Sequence, residues 1–318
     1  MLSWRPSYTR IRTGERFDSL RQAYAACLPE ERVLSAEYFE RYVKGHGVGI
    51  LTPFRGVLQA PGPLAGHADL PRDGDAARLA DALVECAPES DPIDVAVSGG
   101  MDSWVLATLL RSRGFAVRAW YLESGVPGYC EIKRVRYLSR GLGIPCQCVR
   151  VTESEFVNAL PDFVEAVESP IYNLHPVSKW LLAQALKNEG VSQLVTGDGA
   201  DQVMRQETDC DLLPLTLSCF RASDVDLITP FLSEKVVRMC HRPDPEKRIV
   251  RALAEQLGVP NLKKHATLFP AIPLPSDRHL PSEPRPRGSG ASTDLLTYTT
   301  SLLLEALEDP RRCAASRV

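Results

Sequence analysis

From about residue 75 to 196 the chain alternates short apolar, β-branched runs with longer stretches in which apolar residues recur every three to four positions. The pattern predicts a helix over 75–86, a strand over 93–97 and, after a Ser98-Gly99-Gly100 turn, a helix with Val105, Leu106, Leu109 and Leu110 on one face. It then predicts a strand over 115–122, a helix over 131–142, a strand over Cys146–Val151 and a helix over Glu153–Val167. A further helix over 176–187, opened by Pro176, precedes a strand over 191–196 that ends on Gly197-Asp198-Gly199. Strands alternating with helices at this spacing imply an α/β fold with a mainly parallel, doubly wound sheet covered on both faces. Ligands of such sheets sit at the carboxyl ends of the strands.

The flanks are less regular. Before residue 75 the sequence predicts helices over 17–28 and 36–42, then a glycine- and proline-rich run through Gly45, Gly47, Gly49 and Pro61-Gly62-Pro63. Those spaced glycines follow no β-run and do not have the dinucleotide-binding spacing. Residues 212–257 read mostly as helix, which gives the fold a helical C-terminal part. The proline-dense 270–286 and Arg287-Gly288-Ser289-Gly290 predict an extended segment, followed by an amphipathic helix over 294–308. The expected organisation is an N-terminal appendage (1–74), a nucleotide-handling domain (75–270) and a proline-rich segment with a terminal helix (271–318).

Composition narrows the function. Of 318 residues, 44% are hydrophobic and 24% charged, the balance of a folded globular chain. The 37 basic and 40 acidic side chains leave a net charge of −3, which argues against a nucleic-acid partner. No apolar run is long enough to cross a bilayer, and Met1 to Pro6 lacks the apolar core of a signal peptide, so no membrane partner and a cytoplasmic location are expected. The nine cysteines are scattered, and the one close pair, Cys146 and Cys148, matches neither a zinc nor a C-x-x-C redox spacing.

The chemistry concentrates at two predicted strand ends. In Ser98-Gly99-Gly100-Met101-Asp102-Ser103 the paired glycines let backbone N–H groups converge on an anion, the serines add hydroxyls, and a helix N-terminus follows. No Gly-Lys-Ser/Thr follows, so this is a phosphate cradle of another kind than the Walker loop. The plainer reading is a glycine turn capped by Asp102 or Ser103. The second strand end, Val195-Thr196-Gly197-Asp198-Gly199-Ala200-Asp201-Gln202, again joins small residues to carboxylates. Asp102 and Asp201 could there hold Mg²⁺ against one polyphosphate, although Asp198 and Asp201 also suit turn and cap positions.

Together these segments resemble the synthetase domain of the asparagine synthetase family, of the N-type ATP pyrophosphatase (PP-loop) superfamily with its adenine nucleotide alpha hydrolase-like fold. Ser98 to Ser103 matches the S-G-G-x-D-S signature, and Gly197 to Asp201 is similar to G-E-G-A-D with Asp198 for Glu. The likeness extends through Tyr129-Cys130-Glu131, where the family has an acidic pair, through Thr229-Pro230-Phe231-Leu232, and through Lys247-Arg248-Ile249-Val250-Arg251 and Val259-Pro260, similar to K-x-x-L-R followed by L-P.

The resemblance implies ATP and Mg²⁺ as cofactors and an AMP- and pyrophosphate-forming amide ligase. A substrate carboxylate, of a small molecule or peptide, would be adenylated and then attacked by an amine. Ser98, Gly99, Gly100 and Ser103 would cradle pyrophosphate beside Gly197, Asp102 and Asp201 would hold the metal, and Val97 and Leu122 would flank adenine. The family's late-loop lysine corresponds to Lys264 or Lys263, and Asp198 stands where the family has a glutamate linked to deprotonating the amine. Gln202 and Met204-Arg205-Gln206 depart from the family pattern and suggest an altered acceptor pocket. Leu2 and the short leading segment predict that the glutaminase part of glutamine-dependent relatives is absent. The amine would then be ammonia, ammonia from a separate amidotransferase, or an amine on another substrate or a carrier protein, in a specialised biosynthetic pathway. The alternatives are a non-catalytic nucleotide-binding partner subunit and a PP-loop tRNA- or sulfur-modifying enzyme.

Overall fold

The computed structural model describes residues 5–43, 48–60, 76–126, 128, 130–205, 212–240, 244, 246–260, 272, 274–275 and 291–309. At its centre lies a five-stranded sheet formed by β4 (Ile93–Ala96), β5 (Val117–Ser124), β6 (Cys146–Val151), β7 (Gln193–Thr196) and β8 (Asp226–Ile228). The spatial order is β6-β5-β4-β7-β8, and all four pairings are parallel. The expected α/β architecture is therefore present. Strand order reverses on either side of β4, so the crevice at the carboxyl ends of β4 and β7 is the topological switch point of the sheet.

Successive residues of a strand face opposite ways, and both faces are apolar. Ile93, Val95, Ala119 and Tyr121 point to a core built with α3 (Ala76–Val84), α4 (Met101–Ser112), α5 (Ile132–Leu142), α10 (Glu234–Met239) and α11 (Arg248–Gln256). Ala96, Trp120 and Leu194 point the other way, to α6 (Glu153–Val167), α7 (His175–Asn188) and α9 (Leu212–Ala222). α6 starts where Thr152 and Glu155 satisfy each other's backbone N–H groups, and α5 stops at Gly143, whose left-handed conformation suits glycine.

The N-terminal segment builds a three-stranded antiparallel sheet, ordered β2 (Arg16–Phe17), β1 (Tyr8–Arg10) and β3 (Val57–Gln59), together with α1 (Leu20–Ala26) and α2 (Ala36–Val43). It shares the α6/α7 core with the C-terminal helix α12 (Ala291–Glu308). The Tyr42 hydroxyl donates to Pro170 O at 3.1 Å, and Leu20 N–H donates to the Glu168 carboxylate. Among the described residues no helix is long and apolar enough to cross a membrane.

Several elements differ from their expected limits for local reasons. The helix expected over 17–28 begins at Leu20, because the Ser19 hydroxyl accepts Gln22 N–H at 3.1 Å while Arg16 and Phe17 pair with β1. The strand expected over 115–122 spans Val117–Ser124, in a register that places Val117 beside Ile93. The stretch read as mostly helical, 212–257, also contributes β8, three residues that carry no periodicity of their own. The three short N-terminal strands escape the apolar pattern for the same reason.

Candidate active site

β4 ends at Ala96 and α4 begins at Met101, so residues 97–100 form the loop at the switch point. Its shape is fixed from within. Val97 N–H donates to Trp120 O, Ser98 N–H to Ser103 Oγ at 3.1 Å, and Gly100 N–H to Ser98 Oγ at 3.0 Å. Trp104, fully buried, donates its indole N–H to Ser98 O at 2.7 Å and so pins the loop to the first turn of α4.

Gly99 N–H donates to Glu131 Oε2 at 3.0 Å. A side chain at Gly99 would run into that carboxylate, so the close approach needs glycine. Glu131 is the N-cap residue of α5, and its own N–H donates to the Tyr121 hydroxyl at 2.7 Å. Tyr121 is buried, and burial pushes its phenol well above the usual range, so it serves as a neutral hydroxyl. An amide that receives a carboxylate oxygen is an amide with the geometry to receive a phosphate oxygen.

The loop after β7 packs onto this structure from the neighbouring strand. A Cβ on Gly197 would lie 2.9 Å from Ser103 N and 3.2 Å from Asp102 C, so the two loops touch backbone to backbone. That contact brings Asp102, in the first turn of α4, near Asp201, in the first turn of α8 (Ala200–Arg205). Lys247 joins them: its Nζ lies 2.6 Å from Asp102 Oδ2 and 2.8 Å from Asp201 Oδ1. Arg205 also reaches Asp201, at 3.3 Å. Lys247 is 8% exposed and has φ 52°, an uncommon conformation for a non-glycine residue, held by its N–H donating to Asp244 O at 2.8 Å.

Two carboxylates converging on one cationic head, beside a loop whose Gly99 amide holds a carboxylate oxygen, suit a divalent metal carried on a polyphosphate. Oxygen ligands are the donors that Mg²⁺ prefers, and phosphates would have to supply those the chain does not. Among the described residues no group of three or more acidic, histidine or cysteine side chains forms a metal cage.

Asp198 faces a different partner. Its Oδ2 lies 2.7 Å from Lys179 Nζ on α7 and accepts from the Thr196 hydroxyl at 2.8 Å. Burial raises the proton affinity of the carboxylate, and Lys179, the Thr196 hydroxyl and His175 outweigh it, leaving Asp198 below its ordinary range. Leu122 lies near the carboxyl end of β5, beside the strand that leads into the loop. Lys263 and Lys264 lie outside the described residues.

Sequence reading therefore named most of what meets here and missed three residues. Lys247 appeared only as the first residue of a family-like segment, Glu131 only within Tyr129-Cys130-Glu131, where the family has an acidic pair, and Lys179 not at all. Lys247 reaches Asp102 across 145 positions, a juxtaposition that no local pattern carries. Burial and the neighbouring Cys148 push the Cys146 thiol up to about 12, far from a reactive thiolate.

Two solved structures are similar to this chain, each with a TM-score of 0.40. One is NMN synthetase from Francisella tularensis, at 16% identity over 62% of this chain and 78% of that one. The other is the U34-tRNA thiolase NcsA from Methanococcus maripaludis with its 4Fe-4S cluster, at 18% identity over 75% and 76%. No curated protein matches the sequence. Residues 76–208, which carry β4 with its loop, β7 with its loop, Asp102 and Asp201, match the family model of asparagine synthase, and the chain thus contains an asparagine synthase domain over that span.

Proposed function

We propose that the protein is an ATP-dependent amide ligase that forms AMP and pyrophosphate. The reading rests on one observation, the convergence of Asp102 and Asp201 at the mouth of the 97–100 loop, within a segment that matches the asparagine synthase family. A substrate carboxylate oxygen attacks the α-phosphorus of ATP, the bond to the β-phosphate oxygen breaks, and pyrophosphate leaves with the electron pair. An amine, ammonia or a substituted one, then attacks the acyl carbon of the adenylate, AMP departs, and one proton is lost from nitrogen.

The residues have distinct parts in this reading. Gly99 N–H, the Ser98 and Ser103 hydroxyls and the N-terminus of α4 hold the β- and γ-phosphates, with Gly100 and Gly197 keeping the backbones close enough. Asp102 and Asp201 would hold Mg²⁺, which would supply positive charge to offset that on the leaving pyrophosphate. Lys247 holds those two carboxylates at a fixed spacing. Val97 and Leu122 lie where the adenine would rest, and Lys264 or Lys263 supplies a cation to the α-phosphate. Asp198, held as a carboxylate by Lys179, acts on the amine through its charge, by favouring a cationic or hydrogen-bonding acceptor.

The test is product analysis with ATP, Mg²⁺ and pools of carboxylates and amines. AMP and pyrophosphate in equal amounts, together with carboxylate-dependent exchange of labelled pyrophosphate into ATP, are the expected outcome. Asp102→Asn and Asp201→Asn should each lower the exchange rate by about 100-fold or more, with unchanged circular dichroism. Products limited to ADP and phosphate would overturn the reading.

A further inference from the structure

The chain as a whole carries a charge of −3, yet α5 holds Lys133, Arg134, Arg136 and Arg140 and no acidic residue. Val135 and Leu138 turn into the core, which leaves Lys133, Arg136, Tyr137 and Arg140 exposed on the outer face. Lys133, Arg136 and Arg140 follow the i, i+3, i+7 spacing, so they form one row about 10 Å long down the helix.

The row edges a groove of about 640 Å³, closed on its far side by Gly258 and Pro260 and floored in part by Leu138 and Leu142. Lys133 and Arg140 make no ion pair among the described residues. Arg136 shares a single carboxylate, Glu123, with Arg150, which leaves that cluster positive as well. Tyr137, 60% exposed, is the most exposed of the large hydrophobic side chains among the described residues and stands in the middle of the row.

We propose that this groove docks an acidic amphipathic helix of a partner protein. The row is too long for one phosphate or diphosphate to satisfy, and its period is the one at which a second helix repeats its carboxylates. The apolar floor and the tyrosine give such a helix a place for the residues between its charges, as an aromatic anchor inside a charged rim does at other interfaces. A nucleic acid would meet the same cations, but a single row about 10 Å long lacks the extended basic surface that a phosphate backbone follows.

The probe is a fluorescein-labelled synthetic peptide of about 18 residues, with Glu at every third or fourth position on one face and Leu on the other. Its anisotropy on titration with the full-length protein should saturate and weaken as salt is raised. The triple variant Lys133→Glu, Arg136→Glu, Arg140→Glu should weaken it by at least about 10-fold, and Tyr137→Ala by about 3-fold. Reversal of the equally exposed Arg16 and Arg55 should leave it unchanged. If the triple variant does not fold, Arg140→Glu and Tyr137→Ala decide the matter. No saturable binding, equal loss in the Arg16/Arg55 control, unchanged affinity in the groove variants, or tighter binding of a single-stranded RNA of the same length would each overturn the proposal.

Discussion

Glu131 is a carboxylate seated on the amide that the proposed reaction needs for phosphate, so any anion entering the loop competes with it. Glu131→Gln keeps the shape and replaces a charge-assisted hydrogen bond by a neutral one, worth about 1 kcal/mol less. ATP and pyrophosphate should bind about 3- to 10-fold more tightly to this variant, which isothermal titration reads directly; weaker binding would make Glu131 a contributor to the phosphate site instead. Lys179 and Asp198 allow a second test, of pH. With Lys179 present the folded Asp198 binds its proton less readily than an unfolded carboxylate. Its contribution to stability is therefore present above the ordinary aspartate value, near 4, and lost as the pH falls through the folded one. Lys179→Met reverses the sign: a buried carboxylate without its cation has a raised affinity for protons, and stability is then lost as the pH rises through that value. The difference in melting temperature between wild type and Lys179→Met should widen from pH 4 to pH 7. A constant difference would show that the pair is electrostatically inert.

At the scale of elements the site is a contact between two loops. Gly197 is the position where backbone meets backbone, and Ser103 N, at the start of a helix, cannot move aside as a flexible side chain would. Gly197→Ala should cost about 1–3 kcal/mol, lower the melting temperature by several degrees and abolish ATP binding before it abolishes folding. If ATP binding survives, the approach of the β7 loop to α4 is not what sets the spacing of Asp102 and Asp201. The strand-loop-helix units around this contact were legible in the sequence, because an apolar strand, a glycine turn and a 3.6-residue period lie within 20 residues of one another. Ser98 to Ser103 and Gly197 to Asp201 were legible for the same reason. What the sequence did not carry was pairing over distance. β8 has three residues and is a strand only because β7 lies beside it. Lys247 is a site residue only because its backbone takes up a left-handed conformation that turns it between Asp102 and Asp201.

Across the whole molecule, α1 and α12 meet on the side of the sheet formed by α6 and α7, and Arg21 is the tie. It is 7% exposed, donates from Nη1 to Ala306 O at 2.5 Å, and lies within 4 Å of both Glu165 and Glu168. Glu168 in turn accepts from the N–H groups of Leu20 and Arg21, at 2.5 and 3.2 Å, so α1, α6 and α12 share one buried polar cluster. Burial raises the proton affinity of Glu168, while those N–H groups and the Arg21 guanidinium oppose that rise. Removing the guanidinium leaves an ionised carboxylate with less compensation and a carbonyl near the end of α12 without its donor, each a costly change in a dry setting. Arg21→Met, which keeps most of the volume, should lower stability by about 2–4 kcal/mol. The loss should be local as well as global: amide exchange should accelerate in α1 and in the last turns of α12, while β4, β7 and their loops stay protected and ATP affinity stays within about 2-fold. Equal acceleration throughout would mean that α1, α12 and the five-stranded sheet unfold as one unit. Loss of ATP binding would mean that the N-terminal segment shapes the site itself, through α6 and α7, and is more than a support packed behind it.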